Sequence, residues 1–320
     1  MDGMKLEDRD QHIMRLIYSC GGILHKDQIL KSHSPDGKLL FPSEGSLTKR
    51  LTEVLCKHNY LAKPRKIKTK TEDGKVVIDI DDCRDHKAPA AMGCYWLGWR
   101  GAVWFAQDQG HKIATPEEMN EAEQERLSKQ LAKLGIVWNP EPDWSRIPHN
   151  LNVADIHITI TLAVKDQLNL KIEDWINEGY FRLKPDKFIQ YPDSYFAISD
   201  TTRHGQKTPY QAARFLLEVD KGGHPHNRLV EKFKAGLQFL QSSEFKKVSG
   251  ANAGRYLFVT DRDESRINEA RTRLKAELPD HAYFFLFTTF DQVKASNPLT
   301  DPIWVSAGSE AKQTLFEERK

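Results

Sequence analysis

The chain is poor in cysteine. Its 320 residues hold four, Cys20, Cys56, Cys83 and Cys94, with no Cys-x-x-Cys pair. That excludes a disulfide framework, and Cys83, His86 and Cys94 match no familiar zinc spacing. A reducing compartment follows, so the cytoplasm is the expected location. No run approaches about 18 apolar residues, so no membrane span is expected. Met1 to Asp10 alternates charges without an apolar stretch, unlike a secretory signal or an Arg-rich transit peptide. Neither sign of charge dominates, with 47 Lys and Arg against 45 Asp and Glu, so any affinity for polyanions must be local. No phosphate-loop GxxxxGK[ST] occurs, and no nucleophile motif supports Ser/His/Asp catalysis. What remains, 39% hydrophobic and 10% aromatic residues, suffices for two globular domains and rules out collagen or a coiled-coil rod.

The first helix is signalled by Ile13, Leu16, Ile17 and Cys20 at helical spacing, closed by Gly21 and Gly22. A second short helix fits Lys26 to Leu30. Leu47, Leu51 and Leu55 then recur every fourth residue, which leaves Ser46, Thr48, Lys49, Arg50 and Thr52 on the more polar sides of a third helix. From Lys57 to Lys70 the chain carries Lys57, Lys63, Arg65, Lys66, Lys68 and Lys70 and no acidic residue. Alternation over 66–70, then Glu72-Asp73-Gly74 and Val76-Val77-Ile78, predicts a hairpin. Three helices and a basic hairpin suit a winged helix-turn-helix, with Ser46, Thr48, Lys49 and Arg50 of the third helix in the major groove of double-stranded DNA and the six cations on phosphates. Six such contacts would give a salt slope of roughly 5, at about 0.9 each. The alternative is a solvated basic face, offset by Asp79, Asp81, Asp82 and Asp85.

The winged-helix domain is assigned to 1–114. A polar helix from Thr115, with Pro116 at its first turn, and the proline-rich stretch Trp138 to Trp144 make a connector over 115–144. From 145 to 320 strands and helices alternate, predicting an α/β (α+β) domain with a mixed sheet. Strands are expected at Phe188 to Tyr191, Arg214 to Asp220, Tyr256 to Thr260 and Tyr283 to Thr288, and helices at Arg228 to Leu240 and Ser265 to Leu278. Asn150 to Lys165 is ambiguous: Ile156, Ile158, Ile160 and Leu162 at period two favour a strand, while Leu151, Ile158 and Leu162 would share one side of a helix.

Glu218 and Asp220, two apart on one strand, face the same way, opposite Phe215, Leu217 and Val219. Asp186, in Lys184-Pro185-Asp186, supplies a third carboxylate. Three converging carboxylates are what Mg2+ or Mn2+ requires, and such an ion activates water against a phosphodiester. The alternative is an ion-pair network with Lys187, Lys221, Lys232 or Arg214. His224 and His226 read as loop residues.

The sequence resembles the replication-relaxation family of plasmid and mobile-element proteins. The likeness is carried by the helix-turn-helix pattern, Tyr95-Trp96-Leu97-Gly98 with Gly101-Ala102, and His149-Asn150-Leu151-Asn152-Val153-Ala154-Asp155. It continues through Trp175, Leu183-Lys184-Pro185-Asp186, Phe215-Leu216-Leu217-Glu218-Val219-Asp220-Lys221-Gly222 and Glu231-Lys232. The resemblance implies a winged helix joined to a domain similar to the PD-(D/E)xK nuclease core of restriction endonucleases, with Asn150 to Lys165 as its first helix. It implies a role in control of plasmid replication or transfer, alongside other replication or transfer proteins. The lysine expected two residues after the strand glutamate is replaced here by Asp220, so Lys232 on the next helix becomes the candidate. Three functions follow: a DNA-binding protein that suits a two-fold dimer on a palindromic site, a Mg2+-dependent endonuclease using Asp186, Glu218, Asp220 and Lys232, or a protein-interaction scaffold.

Overall fold

The computed structural model describes residues 5–33, 37–64, 68–72, 75–79, 92–183, 191–201, 212–222 and 226–316, with backbone alone at 68–72, 75–79 and 226–227. The chain divides into two compact units, Met1–Ala154 and Asp155–Lys320.

In the first unit, α1 (Asp8–Ser19) buries Ile13, Met14 and Ile17. Gly21 and Gly22, at φ 89° and 94°, turn the chain into β1 (Ile23–His25), and α2 (Lys26–Lys31) follows directly. Ser43 caps α3 (Glu44–Lys49) by accepting from the Ser46 amide, and the helix continues as a π-helical stretch over Arg50–Cys56. Leu47, Leu51 and Leu55 are all fully buried, as their four-residue spacing predicts. After β2 (Leu61–Ala62) come β3 (Lys68–Glu72) and β4 (Lys75–Asp79), the expected antiparallel hairpin. In its register Lys68 stands opposite Asp79, Lys70 opposite Val77 and Glu72 opposite Lys75. β5 (Cys94–Leu97) then pairs antiparallel with both β1 and β2, giving a three-stranded sheet in the order β1-β5-β2.

Helix α4 (Trp99–Asp108) leaves β5 through Gly98. A β-carbon at Gly98 would run into the Asn59 carbonyl, and one at Gly101 into the Tyr60 carbonyl, so the glycines of this motif allow backbone to pass against backbone. The polar helix α5 is Glu121–Lys133, not a helix from Thr115: the Asn120 side chain accepts from the Glu123 amide and sets the start five residues later. Trp138 donates its indole N–H to the Leu97 carbonyl and Trp96 donates to the Pro140 carbonyl, both at 2.9 Å. The proline-rich stretch is therefore pinned to this unit's sheet.

Helix α6 (Ile147–Lys165) resolves the ambiguity at 150–165 in favour of a helix. Ile156, Ile158, Ile160, Ala163 and Val164 are all buried and Lys165 alone is exposed, so apolar residues fall all around it and imitate a period of two. Then come β6 (Leu170–Asn177), α7 (Glu178–Arg182), β7 (Ser194–Asp200), β8 (Ala212–Asp220), α8 (His226–Leu240), α9 (Ser243–Ser249), β9 (Arg255–Thr260), α10 (Glu264–Glu277), β10 (Phe285–Thr289), α11 (Phe290–Ala295), β11 (Trp304–Ser306) and β12 (Lys312–Gln313). The strands form one mixed seven-stranded sheet in the order β12-β11-β10-β9-β8-β7-β6. β6, β7 and β8 are an antiparallel meander, β8, β9 and β10 are parallel, and β10 to β12 are antiparallel. Apolar residues of α8, including Leu229, Phe233 and Leu237, pack with Leu216, Tyr256, Phe258 and Phe287 of the central strands.

The strand expected at Phe188 to Tyr191 is not found at Tyr191, which precedes β7, and 188–190 lie outside the described residues. Asp186 and His224 lie outside them too. The polypeptide over 283–284 is 3-10 helix, so the last parallel strand begins at Phe285.

Candidate functional site

β8 places Glu218 and Asp220 on the sheet face covered by α8 and α10, each only 2% exposed. Every oxygen of Glu218 is engaged. Lys232, one turn and a half into α8, pairs with Oε1, and the Tyr256 hydroxyl on β9 donates to Oε2 at 3.2 Å. Asp220 Oδ2 accepts from Arg266 Nε of α10 at 3.0 Å and from Thr260 Oγ1 at 3.5 Å. Asp220 Oδ1 is buried and has no hydrogen-bond partner among the described residues.

Burial alone would lower the Lys232 ammonium, but the charge and hydrogen bond of Glu218, then the charges of Asp193 and Asp220, outweigh it and raise it above the usual lysine value. Burial pushes the Tyr256 hydroxyl well up, and the Glu218 and Asp193 charges add to that, so it stays a proton donor. A β-carbon at Gly236 of α8 would run into the Tyr256 ring. Glycine at 236 is what lets the ring lie against the helix with its hydroxyl at Glu218.

Asp193, immediately before β7, is the carboxylate that sequence reasoning missed. Its Oδ2 accepts the Val219 amide at 2.8 Å, and its charge acts on both Lys232 and Tyr256. The available signal was a second Pro-Asp pair, Pro192-Asp193, leading straight into a run of buried residues. Arg266 was missed as well. Three carboxylates, Asp193, Glu218 and Asp220, thus gather with two cations, Lys232 and Arg266.

As a metal cage this donor set does not fit as it stands. Lys232 and Tyr256 occupy Glu218, and Val219 occupies one Asp193 oxygen, which leaves Asp220 Oδ1 without a partner. Among the described residues, no group of three His, Cys, Asp or Glu side chains is placed to hold a metal ion.

In the first unit, Lys49, Lys57 and Lys63 are exposed, while Ser46 and Thr48 are half-buried. Ser46 Oγ donates to the Ser43 carbonyl at 2.8 Å. Arg50 is committed inward: its Nε and NH2 grip the wholly buried Asp10, and NH1 reaches Glu7 at 3.1 Å. Lys68 and Lys70 lie on β3; Arg65 and Lys66 are outside the described residues.

The architecture defines a mixed α/β protein of two units with a buried, largely self-neutralised carboxylate cluster at the end of a central strand. A family model described as replication-relaxation matches residues 89–253, more than half of the sequence, and the chain belongs to that family. The matched stretch contains Asp193, Glu218, Asp220 and Lys232 and ends before Tyr256 and Arg266. Neither the curated proteins nor the solved structures yielded a match. Among the described residues no helix is long and apolar enough to cross a membrane.

Proposed function

We propose that this is a DNA-binding protein of a plasmid or other mobile element, acting in control of replication or transfer. The observation that carries the reading is the order of elements in the first unit: helix, strand, two helices, strand, hairpin, strand, with β5 seated between β1 and β2. That is the order of a winged helix, in which α3 enters the major groove and the β3-β4 hairpin rests on phosphates. Lys49, Lys57 and Lys63 are the exposed cations beside them. Arg50 serves this reading by fixing α3 to α1 through Asp10. Membership of the replication-relaxation family supports the setting.

The test is duplex binding measured against salt. Replacing Lys66, Lys68 and Lys70 by alanine is expected to weaken binding and flatten the slope of log affinity on log salt by about 3, if each meets one phosphate. An unchanged slope would move the interface elsewhere.

A second reading, a Mg2+- or Mn2+-dependent endonuclease, is favoured by one observation, the unpartnered Asp220 Oδ1 among three carboxylates. The order α6, three antiparallel strands, α8 and parallel β9 supports a PD-(D/E)xK-like core. Against it, Lys232 would have to release Glu218 before any ion gained that ligand. Incubating supercoiled and linear DNA with either metal, alongside Asp186→Ala, Asp193→Ala and Glu218→Ala, separates the two. Metal-dependent cleavage lost in the variants rejects the non-enzymatic reading, and binding without cleavage supports it.

A further inference from the structure

β8 and β9 run parallel and finish side by side, Asp220 against Thr260. In α/β sheets, ligands lie outside the carboxyl ends of the parallel strands. β8 is antiparallel to β7 on one side and parallel to β9 on the other, so its carboxyl end lies beside that of β9. A cation stands on the turn after each strand: Lys221 follows Asp220, and Arg262 follows Thr260 and Asp261.

Both cations are short of counter-charge. Lys221 is partly buried, and among the described residues no carboxylate lies within ion-pair distance of it. Burial lowers its ammonium below the usual lysine value, and the charge of Asp261 offsets only part of that. Arg262 meets a carboxylate only loosely, Asp261 at 3.8 Å, and its side chain is 60% exposed. The Arg262 side chain lies against Gly222, the residue that follows Lys221. The φ of 69° at Gly222 is left-handed, and a β-carbon there would run into the Arg262 side chain, so glycine allows the arginine to lie over the Lys221-Gly222 turn. Two cations beside one turn, one of them partly desolvated, suit an oxyanion that can bridge ammonium and guanidinium.

The geometry points to an anion seat, formed by Lys221 and Arg262 at the carboxyl ends of β8 and β9, that takes one backbone phosphate of a nucleic acid. It rests on the DNA-binding reading and adds a contact point in the second unit, apart from the helices and hairpin of the first.

The test compares the full chain, Lys221→Gln/Arg262→Gln and Lys68→Ala/Lys70→Ala on one labelled DNA duplex between about 50 and 200 mM salt, the range over which phosphate contacts are read. Loss of the seat is expected to lower the slope by about 1, with the melting temperature kept. An unchanged slope in a folded variant, while the hairpin variant loses slope, overturns the seat and leaves the DNA-binding reading standing. If the unmodified chain binds no duplex, that reading fails, and inorganic pyrophosphate becomes the probe. A rise in melting temperature seen in the unmodified chain and absent in the variant supports the seat; equal rises overturn it. Arg262→Gln alone, at an exposed position, keeps the comparison open should the double variant melt early.

Discussion

Tyr256 donates its hydroxyl to Glu218 at 3.2 Å from a ring buried against helix α8. The contact exists because residue 236 has no side chain. Gly236→Ala is therefore expected to push the ring off the helix and destabilise the fold by about 1 to 3 kcal/mol, the usual range for overpacking. Tyr256→Phe keeps the ring and removes the donor, at a cost of about 1 to 3 kcal/mol for a buried charged acceptor left short of a partner. Urea denaturation of both variants checks this, and a Gly236→Ala variant as stable as the parent would sink it.

Lys232 holds Glu218 in a site almost closed to water. Lys232→Met leaves that carboxylate buried without its cation and should cost about 3 to 5 kcal/mol, whereas Lys232→Met with Glu218→Gln should recover much of it. The pH dependence has a definite sign. The Lys232 ammonium is raised above its ordinary value, so its stabilisation is complete below the unfolded lysine value and is lost as pH climbs through the folded one. Stability curves at alkaline pH should thus fall more steeply for the parent than for the double variant.

The helices and hairpin of the first unit were legible because a stripe such as Leu47, Leu51, Leu55 has one solution, a buried helix face. β6 and β7 were not. A register shift between Ile172 and Asp174 breaks the alternation of β6, and β7 is buried on both faces from Ser194 to Ser199, which removes alternation altogether. At the carboxylate site, Glu218 and Asp220 could be read from their spacing on β8, and Lys232 from the family resemblance. Arg266 could not: its partner lies 46 residues away, and α10 reads as a solvated charged helix although Arg266 and Arg271 are buried in it. Asp193 was hidden behind an equally good Pro-Asp pair at 185–186.

The Arg50–Asp10 pair predicts a division of labour on α3. Asp10 is inaccessible and Arg50 is its cation, so Asp10→Ala or Arg50→Ala should lower stability by about 3 to 5 kcal/mol. Lys49→Ala, at an exposed position on the same turn, should leave stability unchanged and weaken only duplex binding. Thermal melts beside binding titrations separate the two, and an Arg50→Ala protein with the parent's melting temperature would contradict the assignment.

The thiols of Cys56 and Cys94 are each pushed up to about 12 by burial, slightly countered at Cys56 by the charge of Lys63. Thiolate is the reactive form, so at pH 8 roughly one molecule in ten thousand presents it at either site. Mass spectrometry after brief iodoacetamide treatment should find both unmodified in the native protein and alkylated in urea. Rapid native labelling at either would show that the burial is wrong.

The glycines at 98 and 101 face carbonyl oxygens of the main chain, where a swinging side chain would have given way. Main-chain carbonyls cannot rotate aside without undoing the turn at Asn59, itself held at φ 60°. The helix leaving the small sheet and the bend that closes the preceding helix are consequently cut to one clearance, with no slack for even a methyl group. Within the stretch that matches the family model, these two positions thus answer to a machining tolerance.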